Sequence, residues 1–278
     1  MNGKESALRE VLSSLGSVIV AYSGGVDSAY LAWAAHTTLS DRATAVTADS
    51  PSYPEHHRRM ALDIASRFGF RHEIIHTGEL ERSDYRANPT NRCYFCKHEL
   101  YTHLSRLALD RGAIVCDGSN ADDRGDYRPG RQAAREFGVR SPLDEVNLTK
   151  GEIRELSRTA GLPTWDEPAS ACLSSRIPYH NEVTDEKLRM IERAELALRS
   201  LGFRVCRVRH YDELARVEIG REELERALLP ATRATIEREL KTIGYREVEI
   251  DSRGYRMGSL HEGLLLQPAL ATAKRDIA

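Results

Sequence analysis

The sequence predicts an α/β fold, with a parallel sheet flanked by helices and then a smaller carboxy-terminal α+β domain. Three observations predict it. Strand-like and helix-like stretches alternate from residue 17 to residue 143, the rhythm of parallel βαβ units. The apolar run Val18-Ile19-Val20-Ala21 ends near two glycines and passes into the helix-like Ala29-Tyr30-Leu31-Ala32-Trp33-Ala34-Ala35. Beyond Gly161 the periodicity stops, and it returns near Thr184 as one amphipathic helix followed by short strands that carry arginines. These breaks divide the 278 residues into a parallel-sheet domain at 1–160, a cysteine-bearing linker at 161–183 and an α+β domain at 184–278.

Taken in order, the first turn is Tyr22-Ser23-Gly24-Gly25-Val26-Asp27-Ser28. A strand that turns through glycines into a helix presents free backbone N–H groups and the positive end of the helix dipole, which makes an anion cradle. Gly24 and Gly25 let the backbone approach a phosphate, and the Ser23 and Ser28 hydroxyls can donate to it. Asp27 cannot hold an anion directly, so it either binds Mg²⁺ or braces the loop. No lysine follows the glycines as a Walker loop requires.

A second strand, Ala43 to Thr47, ends at Ala48-Asp49-Ser50-Pro51, which places Asp49 and Ser50 where a nucleoside would rest. Pro54 starts a helix through Met60, Ile64 and Phe68, and Arg71 to His76 reads as the third strand. A polar loop from Thr77 to Asn91 leads to Cys93-Tyr94-Phe95-Cys96 at the start of a helix reaching about Leu109. That pair has either a structural or substrate-loop role or redox or metal chemistry, and neither cysteine is assigned to catalysis. Ala113 to Asp117 is the fourth strand, with Cys116 as a core residue. It runs into Gly118-Ser119-Asn120-Ala121-Asp122-Asp123 and Tyr127-Arg128-Pro129-Gly130, a polar loop expected to face the same crevice as the first turn. Arg140-Ser141-Pro142-Leu143 is expected to close the sheet, and Thr149-Lys150-Gly151-Glu152 is a capping box opening a helix to about Ala160.

The linker carries Cys172 beside Ser175 and Arg176, and a thiol near a guanidinium gains thiolate character. After the helix from Thr184 to Ser200 come strands at 203–210 and 215–219, a helix from Pro230 to about Ile243, and a strand at 245–251. Gly254-Tyr255-Arg256-Met257-Gly258-Ser259 follows as a turn. Arg207, Arg209 and Arg256 together form an expected anion site.

Composition narrows the function classes. With 41% hydrophobic and 29% charged residues the chain can bury a core, and 40 Lys and Arg against 42 Asp and Glu disfavour nucleic acid as a partner. No run approaches the roughly 18 apolar residues of a membrane span, and the start of the chain lacks a signal core, so a cytoplasmic protein is expected. Five cysteines without an export signal point to thiols over a disulfide framework.

The first turn resembles the Ser-Gly-Gly-x-Asp-Ser PP-loop of the ATP pyrophosphatase superfamily, whose domain is adenine nucleotide alpha hydrolase-like. The 118–123 loop resembles one that PP-loop amide synthetases use near their adenylated substrate, which adds Ser119 to the expected ATP contacts. The whole pattern, with Ala171-Cys172-Leu173-Ser174-Ser175-Arg176-Ile177-Pro178-Tyr179 and the Arg207-Val208-Arg209-His210 strand, resembles the LarE family. That resemblance implies an ATP- and Mg²⁺-dependent sacrificial sulfur transferase in the synthesis of the nickel-pincer cofactor of lactate racemase. Its substrate would be pyridinium-3,5-biscarboxylic acid mononucleotide, and Cys172 would give up its sulfur to become dehydroalanine. The phosphate and carboxylates of that nucleotide would meet Ser175, Arg176, Arg207, Arg209 and Arg256, with Glu195 orienting the arginines. The resemblance further implies a homo-oligomer, a hexamer, working beside other enzymes of the cofactor pathway. Some family members use a three-cysteine iron–sulfur cluster instead; the lone Cys172 fits the sacrificial variant better. Competing readings are an ammonia-dependent amide synthetase of the NAD synthetase type, a regulatory nucleotide-binding module and a tRNA thiolase.

Overall fold

A computed structural model describes residues 3–125, 129–168 and 171–256, and the chain divides into two compact units, Met1–Ser170 and Ala171–Ala278. Tyr127-Arg128, Ala169-Ser170 and Met257-Gly258-Ser259 lie outside the described residues.

The first unit runs α1 (Gly3–Leu15), β1 (Val18–Ala21), α2 (Val26–Leu39), β2 (Ala43–Asp49), α3 (Glu55–Phe68), β3 (Arg71–His76), α4 (Ser83–Arg86), α5 (Arg92–Arg111), β4 (Ile114–Cys116), α6 (Gly130–Glu136), α7 (Pro142–Glu145) and α8 (Lys150–Thr159). Its four strands are all parallel in the order β3-β2-β1-β4, with Val18 level with Ala43 on one side and Ile114 on the other. Alternation along the strands explains the two-sided core. Val18, Val20, Ala43, Ala45 and Cys116 pack with helices α1, α2, α3 and α8, while Ile19, Ala21, Val46 and Val115 pack with α5 and α6. Both faces of β1 are covered, so its four residues are continuously apolar. Helix α1, which the sequence reading passed over, buries Leu8 and Leu12 completely, at about 1.5–3 kcal/mol each.

Two details differ from expectation. Arg140 meets the sheet through a single bridge to Cys116, because Pro142 has no N–H to give a ladder and starts α7 instead. The polar loop at 77–91 coils into a turn at Glu79–Glu81 and the short α4.

The second unit contains α9 (Asp185–Ser200), β5 (Cys206–Tyr211), β6 (Leu214–Ile219), α10 (Arg221–Leu228), α11 (Pro230–Ile243) and β7 (Glu247–Ile250). Its sheet has the order β5-β6-β7, antiparallel between β5 and β6 and parallel between β6 and β7. Cys206, Val208, Val217 and Ile219 share a core with Ala194 and Leu198 of α9, Ala227 of α10, and Ile236 and Leu240 of α11. The alternate positions Arg207, Arg209 and Glu218 therefore point to the other face, where they are also buried. Strand β5 begins at Cys206, later than the sequence predicts, because the Arg204 and Val205 N–H groups donate to the Glu223 carboxylate instead of to a ladder. Helix α10 was not foreseen. No helix among the described residues is long and apolar enough to cross a membrane.

Candidate functional site

In the first unit the sheet order reverses between β1 and β4, the kind of switch point beside which ligands bind in open α/β sheets, and loops leave the carboxyl ends of those two strands there. One of them is the glycine turn, the other begins at Asp117. They touch: a Cβ added to Gly118 would lie 3.0 Å from the Ser28 backbone nitrogen, so only glycine lets the second loop lie against the start of α2. Gly24 sits in the left-handed region at φ +68°, and its absent Cβ would come within 3.0 Å of the Ala61 Cβ. Gly25 is the residue before α2, in an extended conformation, with its carbonyl accepting from the Ala29 N–H.

Hydroxyls hold this turn in shape. The Ser23 N–H donates to Ser28 Oγ at 3.1 Å, the two serine hydroxyls are 3.1 Å apart, and Ser28 Oγ donates to the Gly25 carbonyl. Tyr53 Oη donates to the Ser23 carbonyl at 3.0 Å. Val26 is buried as the first residue of α2. Asp27 is ion-paired through Oδ2 with Lys150, while its buried Oδ1 has no hydrogen-bond partner among the described residues. Lys150 is the residue the sequence reading missed. It stands 123 positions from Asp27, yet the capping box that starts α8 at Thr149 brings it to the glycine turn.

The flanking positions are tied together by hydrogen bonds. Asp117 is buried and accepts from the Ser119 N–H, Ser119 Oγ, Ser141 Oγ and Tyr101 Oη, so Ser119 is held by a carboxylate two residues before it. Asp49 ends β2, with its carbonyl accepting from the Thr77 N–H, and Ser50 Oγ lies 3.0 Å from Ser52 Oγ. Buried Glu79 accepts from Ser52 and Thr77, tying the ends of β2 and β3 together.

In the second unit Cys172 precedes a short turn, Leu173–Arg176, and is half-buried. Its carbonyl oxygen accepts three bonds: from the Ser175 N–H at 3.0 Å, from Ser175 Oγ at 2.8 Å and from Arg176 Nη1 at 2.9 Å. Arg176 is only 1% exposed. Its Nε and Nη2 meet the two carboxylate oxygens of Glu195 at 2.8 and 2.9 Å, and Nη1 also reaches the Ala171 carbonyl. Burial alone opposes both charges. Their mutual attraction outweighs it, holding Glu195 below the usual carboxylate range and Arg176 above its ordinary value. Glu195 Oε1 also accepts the Val208 N–H of β5.

Arg209 donates to Glu218 through Nε and Nη2, and to the Ser175 carbonyl through Nη1 at 2.8 Å. Arg207 donates to the Cys206 carbonyl, and its guanidinium lies 5.2 Å from the Tyr255 ring centroid. Burial, and next the charge of Arg176, push its ionisation below the usual arginine value. Arg256 bonds the Gly254 carbonyl and lies 3.8 Å from Asp251. The structure thus gathers Cys172, Ser175, Arg176, Glu195, Arg207 and Arg209 around one turn and one sheet face.

The other cysteines are arranged differently. Cys116 is fully buried, its ionisation pushed far up by burial and by Asp117, and Cys206 is pushed up to about 12 by burial and Glu195. Cys93 is exposed and Cys96 half-buried near the start of α5. Among the described residues no group of three or more His, Cys, Asp or Glu is placed to hold a metal ion.

No family model matches the chain. It is 43% identical over 265 residues to an uncharacterised protein of Synechocystis sp., covering 95% of this chain and 99% of that one. To the pyridinium-3,5-bisthiocarboxylic acid mononucleotide synthase of Lactiplantibacillus plantarum it is 34% identical over 263 residues, 94% of this chain and 95% of the synthase. A more distant likeness, 26% over 245 residues, is to a glutamine-hydrolysing GMP synthase of Synechococcus sp., of which it spans 44%. The near full-length likeness to the synthase establishes the relationship: the chain is an enzyme of the LarE family, to which that synthase belongs.

Proposed function

We propose that the chain is an ATP-dependent sulfur transferase that converts carboxylates of pyridinium-3,5-biscarboxylic acid mononucleotide to thiocarboxylates, with Cys172 as the sulfur donor. The observation that carries this reading is the 34% identity to the named synthase across 94% of the chain. The geometry supports it with two kinds of site in the two units, a PP-loop-type anion cradle at 23–28 and a half-buried thiol on an arginine-lined turn.

In the first step a substrate carboxylate attacks the α-phosphorus of ATP, and pyrophosphate leaves. Ser23, Gly24, Gly25, Val26 and Ser28 supply N–H groups, hydroxyls and the helix dipole to the departing phosphates. Lys150 adds a cation at the same turn. Asp49, Ser50 and Ser119 line the ends of the strands that receive the nucleoside. The orphaned Oδ1 of Asp27 would hold a Mg²⁺ ion that arrives with the nucleotide. Such an ion would supply positive charge against the leaving pyrophosphate.

In the second step the Cys172 thiolate attacks the acyl carbon, AMP leaves and a thioester forms. Loss of the Cys172 α-proton then pushes electrons into a new C=C bond, the Cβ–S bond breaks, and the thiocarboxylate departs from dehydroalanine. Arg207, Arg209 and Arg256 supply positive charge for the phosphate and carboxylates of the substrate, and the depressed ionisation of Arg207 is what an added anion would relieve.

Intact-protein and peptide mass spectrometry after incubation with ATP, Mg²⁺ and the biscarboxylated nucleotide tests this. The expected result is loss of one hydrogen sulfide at Cys172 for each thiocarboxylate formed. Thiolated product with Cys172 unchanged would move the sulfur source elsewhere, and pyrophosphate release without thiolation would favour the amide synthetase reading.

A further inference from the structure

The three hydrogen bonds to the Cys172 carbonyl have a chemical meaning beyond holding a turn. Removing the α-proton of a residue inside a peptide chain is difficult because the resulting carbanion must place its charge on that residue's own carbonyl oxygen. At Cys172 that oxygen already faces the Ser175 N–H at 3.0 Å, Ser175 Oγ at 2.8 Å and Arg176 Nη1 at 2.9 Å. These are the distances at which preorganised donors stabilise a developing oxyanion. One of the three is a buried guanidinium, whose charge-assisted bond is the strongest kind available there.

We propose that Ser175 and Arg176 form an oxyanion hole over the Cys172 carbonyl, which lowers the barrier to α-proton removal and so drives cleavage of the Cβ–S bond. The inference rests on the reading of Cys172 as the sulfur donor and assigns Arg176 to the donor residue instead of to the substrate. The step balances: the α-proton passes to water, the C–H electrons form the Cα=Cβ bond, and the Cβ–S electrons leave on the thiocarboxylate sulfur. Arg176 has little left to offer a substrate. Its Nε and Nη2 face Glu195, its Nη1 is shared among the Ala171 carbonyl, the Cys172 carbonyl and Ser175 Oγ, and it is 1% exposed.

Glu195 is then a positioning residue. By gripping one side of the guanidinium while accepting the Val208 N–H at the outer edge of β5, it aims Nη1 at the turn. Arg209 pins the far side of the same turn through the Ser175 carbonyl. The hole acts on elimination alone, because attack by Sγ on the acyl carbon places no charge on the Cys172 carbonyl.

The test uses the full chain without ATP or nucleotide. S-cyanylation of the accessible cysteines turns each sulfur into a good leaving group, and conversion to dehydroalanine is followed at each site by peptide mass spectrometry. Exposed Cys93, in an ordinary helical turn, is the internal reference. Elimination at Cys172 is expected to run at least about tenfold faster than at Cys93, and to slow about tenfold or more in Ser175→Ala and in Arg176→Lys, with Cys93 unchanged. Equal rates at the two cysteines, or a Cys172 rate that neither variant alters, would overturn the proposal. Should Arg176→Lys fail to fold, Ser175→Ala on the half-buried turn decides alone. Because no sulfur transfer is involved, fast elimination in a protein that never thiolates the nucleotide would sink the proposed function and leave the hole standing.

Discussion

The glycine turn of the first unit and the cysteine turn of the second solve opposite problems with the same short-range geometry. At Ser23–Ser28 the backbone offers donors, glycines clear the approach, and the supporting contacts are neutral hydroxyls at about 3.1 Å with one ion pair at the side. At Cys172–Arg176 the backbone offers acceptors, and the support is charge buried almost completely. A site built on glycine geometry fails when a Cβ is added, whereas a site built on buried ion pairs fails when one partner is removed.

Substitutions can break that contrast. The largest effects should be on chemistry, and they should separate the two turns. Cys172→Ser is expected to abolish thiocarboxylate formation while pyrophosphate release stays within about twofold, and Asp27→Asn to slow pyrophosphate release by about 100-fold. Coupled assays for pyrophosphate and product read both, and a Cys172→Ser protein that still thiolates would dissolve the division of labour. Next in size, removing one member of the Arg209–Glu218 pair, as in Glu218→Gln, should cost about 3–5 kcal/mol by denaturant unfolding, since it takes away the carboxylate charge that Nε and Nη2 of a buried guanidinium face. Ser28→Ala, which removes neutral hydrogen bonds, should cost about 1 kcal/mol. If the two costs match, burial of charge is not what distinguishes the turns.

Gly24→Ala should cost about 1–2 kcal/mol through its left-handed backbone, with additional strain against Ala61. Its ATP affinity, followed by titration, should fall further than its stability implies.

The smallest effect is one the units share. His72, against Thr47, and His210, against Tyr245, are both held by burial below the ordinary histidine value of 6.5. Each therefore contributes stability that is present above pH 6.5 and is lost as the pH falls toward its depressed folded value. Unfolding midpoints measured from pH 7.5 to 5 should decline, and His72→Gln and His210→Gln should each flatten part of that decline.

The parallel sheet and the glycine turn were legible because their signals are local: a β-branched run, two glycines, a helix, and Thr149–Glu152, which is a capping box as expected. Burial on both faces of β5 was not: Arg207 and Arg209 were expected as an anion site, and their burial, with Arg209 paired to Glu218 and to the turn at Ser175, is not written in the strand pattern. Pairing of Arg176 with Glu195 spans 19 positions and that of Lys150 with Asp27 spans 123, and no periodicity encodes either. Cys172 was found by its neighbours Ser175 and Arg176, but that they converge on its carbonyl oxygen is visible only in three dimensions.

The turn at Cys172 is held by its oxygen, and among the described residues no hydrogen bond of that turn uses the sulfur. A chain that has surrendered its sulfur would keep the same scaffold, melt at nearly the same temperature and still recognise the nucleotide. Exhausted molecules would then accumulate as look-alikes that occupy ligand without turning it over, so output would be throttled by the ratio of fresh to exhausted copies and not by the catalytic rate of any one of them.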